Sequence, residues 1–181
     1  MSSSHCDNLN AEGRIDFDDE VLAPGEIMLV DRTVDKGLNT TIRKFKELLS
    51  LHPDCSEYQK AHLLKDFVDG CYTNSRNHWT DMFPLDFIKL GQTIKSGAGM
   101  CRHRALLTKV LADEIGLNSS MIRGCFELQG LEPHMWNEVT IDGEKYLFDA
   151  ILNNVIKLDS KAEVLDKYYQ KPGCVWKQMY V

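Results

Sequence analysis

Gly116 divides this 181-residue chain into two textures, and no fold that ignores the division can bury its apolar residues. Before it, apolar side chains recur at the three- and four-residue spacing of amphipathic helices. After it come "NSSMIRGCFEL", "HMWNEVTI" and "EKYLFDAIL", short strand-like pieces, the last two separated by Asp142-Gly143. Asp-Gly between alternating runs is a strong signal for a two-residue hairpin loop. Helices followed by an antiparallel sheet make the expected class α+β, and 43% hydrophobic content in a chain of this length supplies one domain with one core.

The helical part reads as follows. In "NTTIRKFKELLSL", Ile42, Phe45, Leu48 and Leu49 share a face behind an Asn39 or Thr40 cap, and His52-Pro53 ends the helix. "SEYQKAHLLKDFVDGCY" repeats the pattern with Ser56 as N-cap. A third helix from Arg102 to Ile115 buries a face made by Leu106, Leu107, Val110, Leu111 and Ile115, and "SKAEVLDKYYQ" reads as a last helix. Residues 73–99 show no sustained period, and an irregular stretch this long points to substrate-binding walls. Residues 1–23 are polar and acidic and read as a mobile arm; residues 24–181 form the single domain.

Charge and composition exclude several classes. The net charge is −6 and Lys and Arg are dispersed, so nucleic acid is not an expected partner. Nothing approaches the length of an apolar membrane span, and "MSSSHCDNLN" has no secretory pattern, which predicts a cytoplasmic protein while leaving open export routes that use no such signal. Six cysteines without CxxC pairs read as free thiols in a reducing compartment. His5-Cys6 and the Cys101/His103 pair lack the second pair a metal site needs, so neither metal nor cofactor is expected.

The residues that carry chemistry begin at "SGAGMCRHRALLTKVL". Cys101 sits where a glycine-rich loop meets a helix, in reach of unpaired backbone N–H groups and the positive end of the helix dipole, which favour thiolate. Gly97-Ala98-Gly99 would clear side chains from the approach of a carbonyl, and the Cys101 N–H could hold an oxyanion. Against this, free cysteines are commonly buried and glycines often precede helices for conformational reasons alone. A nucleophile also needs a base. His103 lies about 200° around the helix from Cys101 and reads as structural. His134 is the better base: a two-residue loop at Asp142-Gly143 sets Ile141 opposite Glu144, Trp136 opposite Asp149 and His134 opposite Ile151. His134 and Asp149 are then diagonal neighbours, with Cα atoms roughly 7–8 Å apart, within reach of a carboxylate–imidazole hydrogen bond. Asp149 stands between "YLF" and "AIL", where a carboxylate needs a partner; an ordinary sheet histidine and a solvated aspartate are the alternative.

The blocks "GMCRHRALLTKVLADEIG", "HMWNEV" and "YLFDA", in this order, resemble the transglutaminase-like superfamily, with its papain-like core. The "CRHRALL" form is most similar to the branch found in bacteria and beside some plant kinases, where Arg follows the nucleophile. The resemblance covers Leu90 to Leu152 and implies Cys101 as nucleophile, His134 as general base and acid, and Asp149 as the group that orients His134. It implies a helix carrying the nucleophile at its N-terminus, packed on an antiparallel sheet. Trp136 matches an aromatic residue two past the histidine, as a wall of the site or as core packing; Gln92 and Trp79 are candidates for the second oxyanion donor. The implied reaction is attack on an amide or ester carbonyl of a protein or peptide, through an acyl-thioester, as a protease, deamidase or transglutaminase. The alternatives are a binding module that kept the fold without turnover, and an effector, such as a bacterial one, that modifies a single host or cellular protein. The tail "YYQKPGCVWKQMYV" would contact a partner or complete the core.

Overall fold

The computed structural model describes residues 13–16, 27–73, 88–170 and 178–179. Strand β1 (Gly13–Asp16) falls within the stretch expected to be a mobile arm; it pairs with β2 (Ile27–Val30) in a small sheet that also takes in β3 (Ile88–Lys89) and β9 (Gln178–Met179).

Helix α1 (Lys36–Ser50) turns Leu38, Thr41, Ile42 and Phe45 inward. Its cap is Asp35, upstream of the expected Asn39 or Thr40. One Asp35 oxygen accepts from the Leu38 N–H at 3.0 Å and the other from the Gly91 N–H at 2.7 Å. This N-cap is therefore also a tertiary tie, which no local pattern encodes. Helix α2 (Glu57–Gly70) starts as expected at Ser56, in a reciprocal capping box with Gln59. Phe67 of α2 meets Phe45 of α1 with ring centres 5.0 Å apart.

The stretch 73–99, expected to be irregular, contains β3 and a two-turn helix, α3 (Leu90–Ser96). Seven residues are too few to display a period. Tertiary bonds hold α3 instead: Asp35 grips Gly91, and the fully buried Thr93 hydroxyl lies 3.1 Å from the Tyr72 hydroxyl. Residues 74–87 of this stretch lie outside the described residues.

Helix α4 (Cys101–Glu114) is buried on nearly every side, Arg102, His103, Arg104 and Thr108 included, where one apolar face was expected. It is the central helix, packed between α2 and the large sheet, so its polar side chains are enclosed too, and most of the Arg104 guanidinium is paired while Thr108 Oγ1 has no partner among the described residues. Arg104 donates to the carbonyls of Asp69 and Tyr72, at 3.2 and 2.8 Å, with its guanidinium 5.3 Å from the Tyr72 ring centre.

The large sheet runs β7 (Asn154–Lys157), β6 (Glu144–Asp149), β5 (Leu131–Ile141), β4 (Ser119–Glu127), β8 (Tyr168–Gln170), antiparallel throughout. The Asp142-Gly143 hairpin sets the expected register, with Ile141 opposite Glu144 and the ladder continuing to Asn137 opposite Phe148. It does not extend to the expected His134–Ile151 pair. Strand β6 ends at Asp149, whose Oδ1 accepts from the N–H groups of Ile151 and Leu152 and turns the chain toward β7. The expected last helix is a 3₁₀ turn (Glu163–Lys167) followed by β8, which pairs with Gly124–Phe126 of β4. The tyrosine pair at its end favours a strand, and the edge of β4 supplies the hydrogen-bond partners.

Candidate active site

Cys101 opens α4 and is 6% exposed. Met100 precedes it with extended backbone, and the Met100 N–H donates to Nδ1 of the fully buried His103 at 2.9 Å. His103 thus closes the helix start from within, and the start of α4 sets backbone N–H groups and the positive end of the helix dipole beside Cys101. Both glycines of the preceding loop have conformational or packing reasons. Gly97 ends α3 with φ +66°, and a Cβ on Gly99 would overlap the Tyr72 ring.

His134 lies on β5, opposite Gly124 of β4. Its Nε2 is 2.5 Å from Oδ2 of Asp149 at the end of β6, and the pair is buried, with 8% and 2% exposure. A carboxylate only accepts, so Nε2 donates and Nδ1 is the nitrogen left to exchange a proton with sulfur. Burial opposes charge on the imidazole, but the hydrogen bond to Asp149 and the neighbouring Cys101 side chain prevail and push His134 up to about 9. The structure therefore brings His134 and Asp149 into a hydrogen-bonded pair on β5 and β6, with Cys101 of α4 near enough to the imidazole to raise its pKa.

Trp136 shares a face with His134, its ring stacked at 6.1 Å, and is 5% exposed. It packs in the core, edge-on to Tyr168 at 5.2 Å. Gln92 is used locally, its amide oxygen accepting from the Lys89 N–H at 2.8 Å. Trp79 lies outside the described residues. Two residues that sequence reasoning missed complete the surroundings of Asp149. The Tyr168 hydroxyl donates to Oδ2 at 2.9 Å, and the Asn154 amide donates to that hydroxyl at 2.9 Å. Burial, and then the charge of Asp149, keep Tyr168 protonated and a donor. The one available signal was the expected β6 ladder: an aspartate ending it needs donors, and a tyrosine in the tail is one of several that could reach it.

Cys55, Cys71, Cys101 and Cys125 are free thiols. Among the described residues no group of three or more His, Cys, Asp or Glu is arranged to hold a metal ion, and no helix is long and apolar enough to cross a membrane.

A cysteine at the N-terminus of a central helix, facing a histidine and an aspartate on adjacent antiparallel strands, is the arrangement of the transglutaminase-like, papain-like folds. Within that class, the chain belongs to the EDR1/CTR1/ARMC3 peptidase-like family, whose model matches residues 15–154. Among solved structures it is similar to a candidate cysteine protease from Cytophaga hutchinsonii, at 21% identity over 71% of this chain and 46% of that one, with a TM-score of 0.45. It is also similar to a TGase, at 16% identity over 67% of this chain and 33% of that one, TM-score 0.48. LapG of Legionella pneumophila is matched at 15% identity over 74% of this chain and 69% of LapG, TM-score 0.48. The chain thus spans less than half the length of the first two.

Proposed function

We propose that this protein is a cysteine-dependent acyl-transfer enzyme acting on an amide or ester carbonyl of a protein or peptide, with Cys101 as nucleophile, His134 as general base and acid, and Asp149 orienting the imidazole. The observation that carries this reading is the buried His134 Nε2–Asp149 Oδ2 pair, with the Cys101 side chain at the start of α4 among the groups that raise the imidazole pKa. A histidine that served only to fill the core would not need a buried carboxylate and a helix-terminal thiol together. The peptidase-like character of its family supports the same class of reaction.

The chemistry follows from the charges. The Cys101 proton moves to His134, giving a thiolate beside an imidazolium. Sulfur attacks the carbonyl carbon, forming a C–S bond while the C=O electron pair moves onto oxygen, and backbone N–H groups at the start of α4 stabilise that oxyanion. As the C–N bond breaks, the imidazolium gives its proton to the departing amine. Water or an amine, deprotonated by His134, then attacks the thioester carbon, and sulfur leaves as thiolate. With water the outcome is proteolysis or deamidation; with a lysine-type amine it is transamidation. In either case the acyl group passes through Cys101.

Intact-mass spectrometry with activated peptide esters tests this. We expect an acyl adduct on wild-type protein, mapped to Cys101, absent in Cys101→Ala, and dispersed by water or by an added primary amine. An adduct spread over several cysteines, or none under conditions where the protein is folded, contradicts the reading.

A further inference from the structure

Asp149 accepts from four donors. Oδ1 takes the backbone N–H groups of Ile151 and Leu152, at 3.0 and 3.2 Å, and Oδ2 takes His134 Nε2 and the Tyr168 hydroxyl. The Tyr168 proton has one place to go. Asn154 Nδ2 can only donate, so it occupies a lone pair of the hydroxyl oxygen and directs the O–H toward Asp149. Three elements fix this line. Strand β8 sets Tyr168 opposite Phe126 of β4, and β7 sets Asn154 opposite Asp149 of β6. The Tyr168 ring is wedged against Phe126 at 4.8 Å, Trp136 at 5.2 Å and His134 at 6.1 Å.

We propose that Tyr168 is a positioning residue for the proposed acyl transfer: its hydroxyl, aimed by Asn154, pins Oδ2 of Asp149 so that the carboxylate holds His134 Nε2 in line and turns the other ring nitrogen to Cys101. The inference rests on the acyl-transfer reading, and it adds a residue from the C-terminal end of the described large sheet to a site otherwise built from α4, β5 and β6. The charge-bearing and titratable groups engaged in this line are Cys101 of α4, His134 of β5, Asp149 of β6 and Tyr168 of β8. The two backbone N–H groups on Oδ1 fix only one oxygen. Without the hydroxyl, the carboxylate can rotate about that anchor and the imidazolium loses part of its hold.

Tyr168→Phe keeps the ring and its three aromatic contacts and deletes only the hydroxyl, so a purely packing role predicts no change. Three readouts separate the outcomes: thermal unfolding, the NMR titration of the His134 imidazole, and the alkylation rate of Cys101 by iodoacetamide across pH. With the fold intact, we expect His134 to titrate lower in Tyr168→Phe than in wild type. Cys101 alkylation at neutral pH should fall about ten-fold, the scale of one lost hydrogen bond to a charged group. Asn154→Ala should shift both in the same direction by less. A His134 titration that is unchanged or moves upward in Tyr168→Phe overturns the positioning role. The imidazole titration is read whether or not Cys101 is reactive. A wild-type Cys101 no faster than Cys55 and Cys125 would therefore count against the acyl-transfer reading, while the Tyr168 hydroxyl is still judged on His134.

Discussion

The side-chain amide of Asn137, on β5, donates to the backbone carbonyl of Ala105, on α4, at 3.0 Å. Ala105 is one turn along the helix from Cys101, and Asn137 is three residues along the strand from His134. This bond therefore ties the element that carries the thiol to the element that carries the imidazole, and it is 1% exposed on the strand side. Asn137→Leu should cost about 1–2 kcal/mol in urea unfolding, the worth of a buried hydrogen bond with its desolvated partner. Cys101 alkylation should slow by more than that loss of stability explains, because the two elements lose their spacer. Equal alkylation rates in the two proteins would make Asn137 a stability residue alone.

The raised His134 value makes a stability prediction whose sign is fixed. The imidazole goes from an ordinary 6.5 to about 9 in the folded protein, so folding favours its protonated form. That contribution is present in full below pH 6.5 and is lost as pH rises through about 9. Chemical unfolding of wild type and His134→Gln from pH 6 to pH 10 should give a stability difference that narrows across this window; one that widens with pH would contradict the ion-pair arrangement. In turnover of an amide, the same loss of the imidazolium should appear as an alkaline limb near pH 9 that simple alkylation of the thiolate lacks.

Arg104 is 5% exposed and bridges α4 to the end of α2 through two backbone carbonyls and the Asp69 carboxylate. Arg104→Leu leaves the Tyr72 carbonyl without its donor and should destabilise by about 2 kcal/mol, by thermal or urea unfolding. Arg104→Lys recovers less than half of that, since one ammonium cannot reproduce the planar fork.

At Gly124 the close approach of strands leaves no room for a side chain. A Cβ there would stand 2.6 Å from Trp136 Cη2 and would overlap the Tyr169 carbonyl. Gly124→Ala should therefore loosen β8 from β4, at about 2 kcal/mol, and disturb the Trp136 and Tyr168 rings together. Trp fluorescence should shift with the loss of stability, and a variant with wild-type stability and spectrum would contradict the packing.

Much of the geometry of the candidate site was legible because it is set by local rules. The Asp142-Gly143 turn determines the β5–β6 register, and the register sets His134 and Asp149 at the same end of one hairpin. Cys101 was legible as the start of a strong helical pattern. What could not be read depends on bonds between distant segments. Asp35 caps α1 while reaching Gly91; α3 is too short for periodicity; and Tyr168 was read into a helix because Glu163–Lys167 continues a helical pattern that the tertiary partner, β4, cuts short at the tyrosines. The same reason hid Asn154. Its role is defined by what Tyr168 does, and nothing in its own neighbourhood marks it.

The central claim is that Cys101 is an activated thiol paired with His134, and the most direct measurement is the alkylation rate of each cysteine against pH, by peptide mass spectrometry, in wild type and in His134→Ala. The account predicts that Cys101 reacts far faster than Cys55, Cys71 and Cys125 at pH 6–7, where an ordinary thiol of pKa about 8.5 is nearly all protonated, and that the advantage disappears without His134. A Cys101 that reacts slowly, follows an ordinary thiol titration and is indifferent to His134 would contradict it.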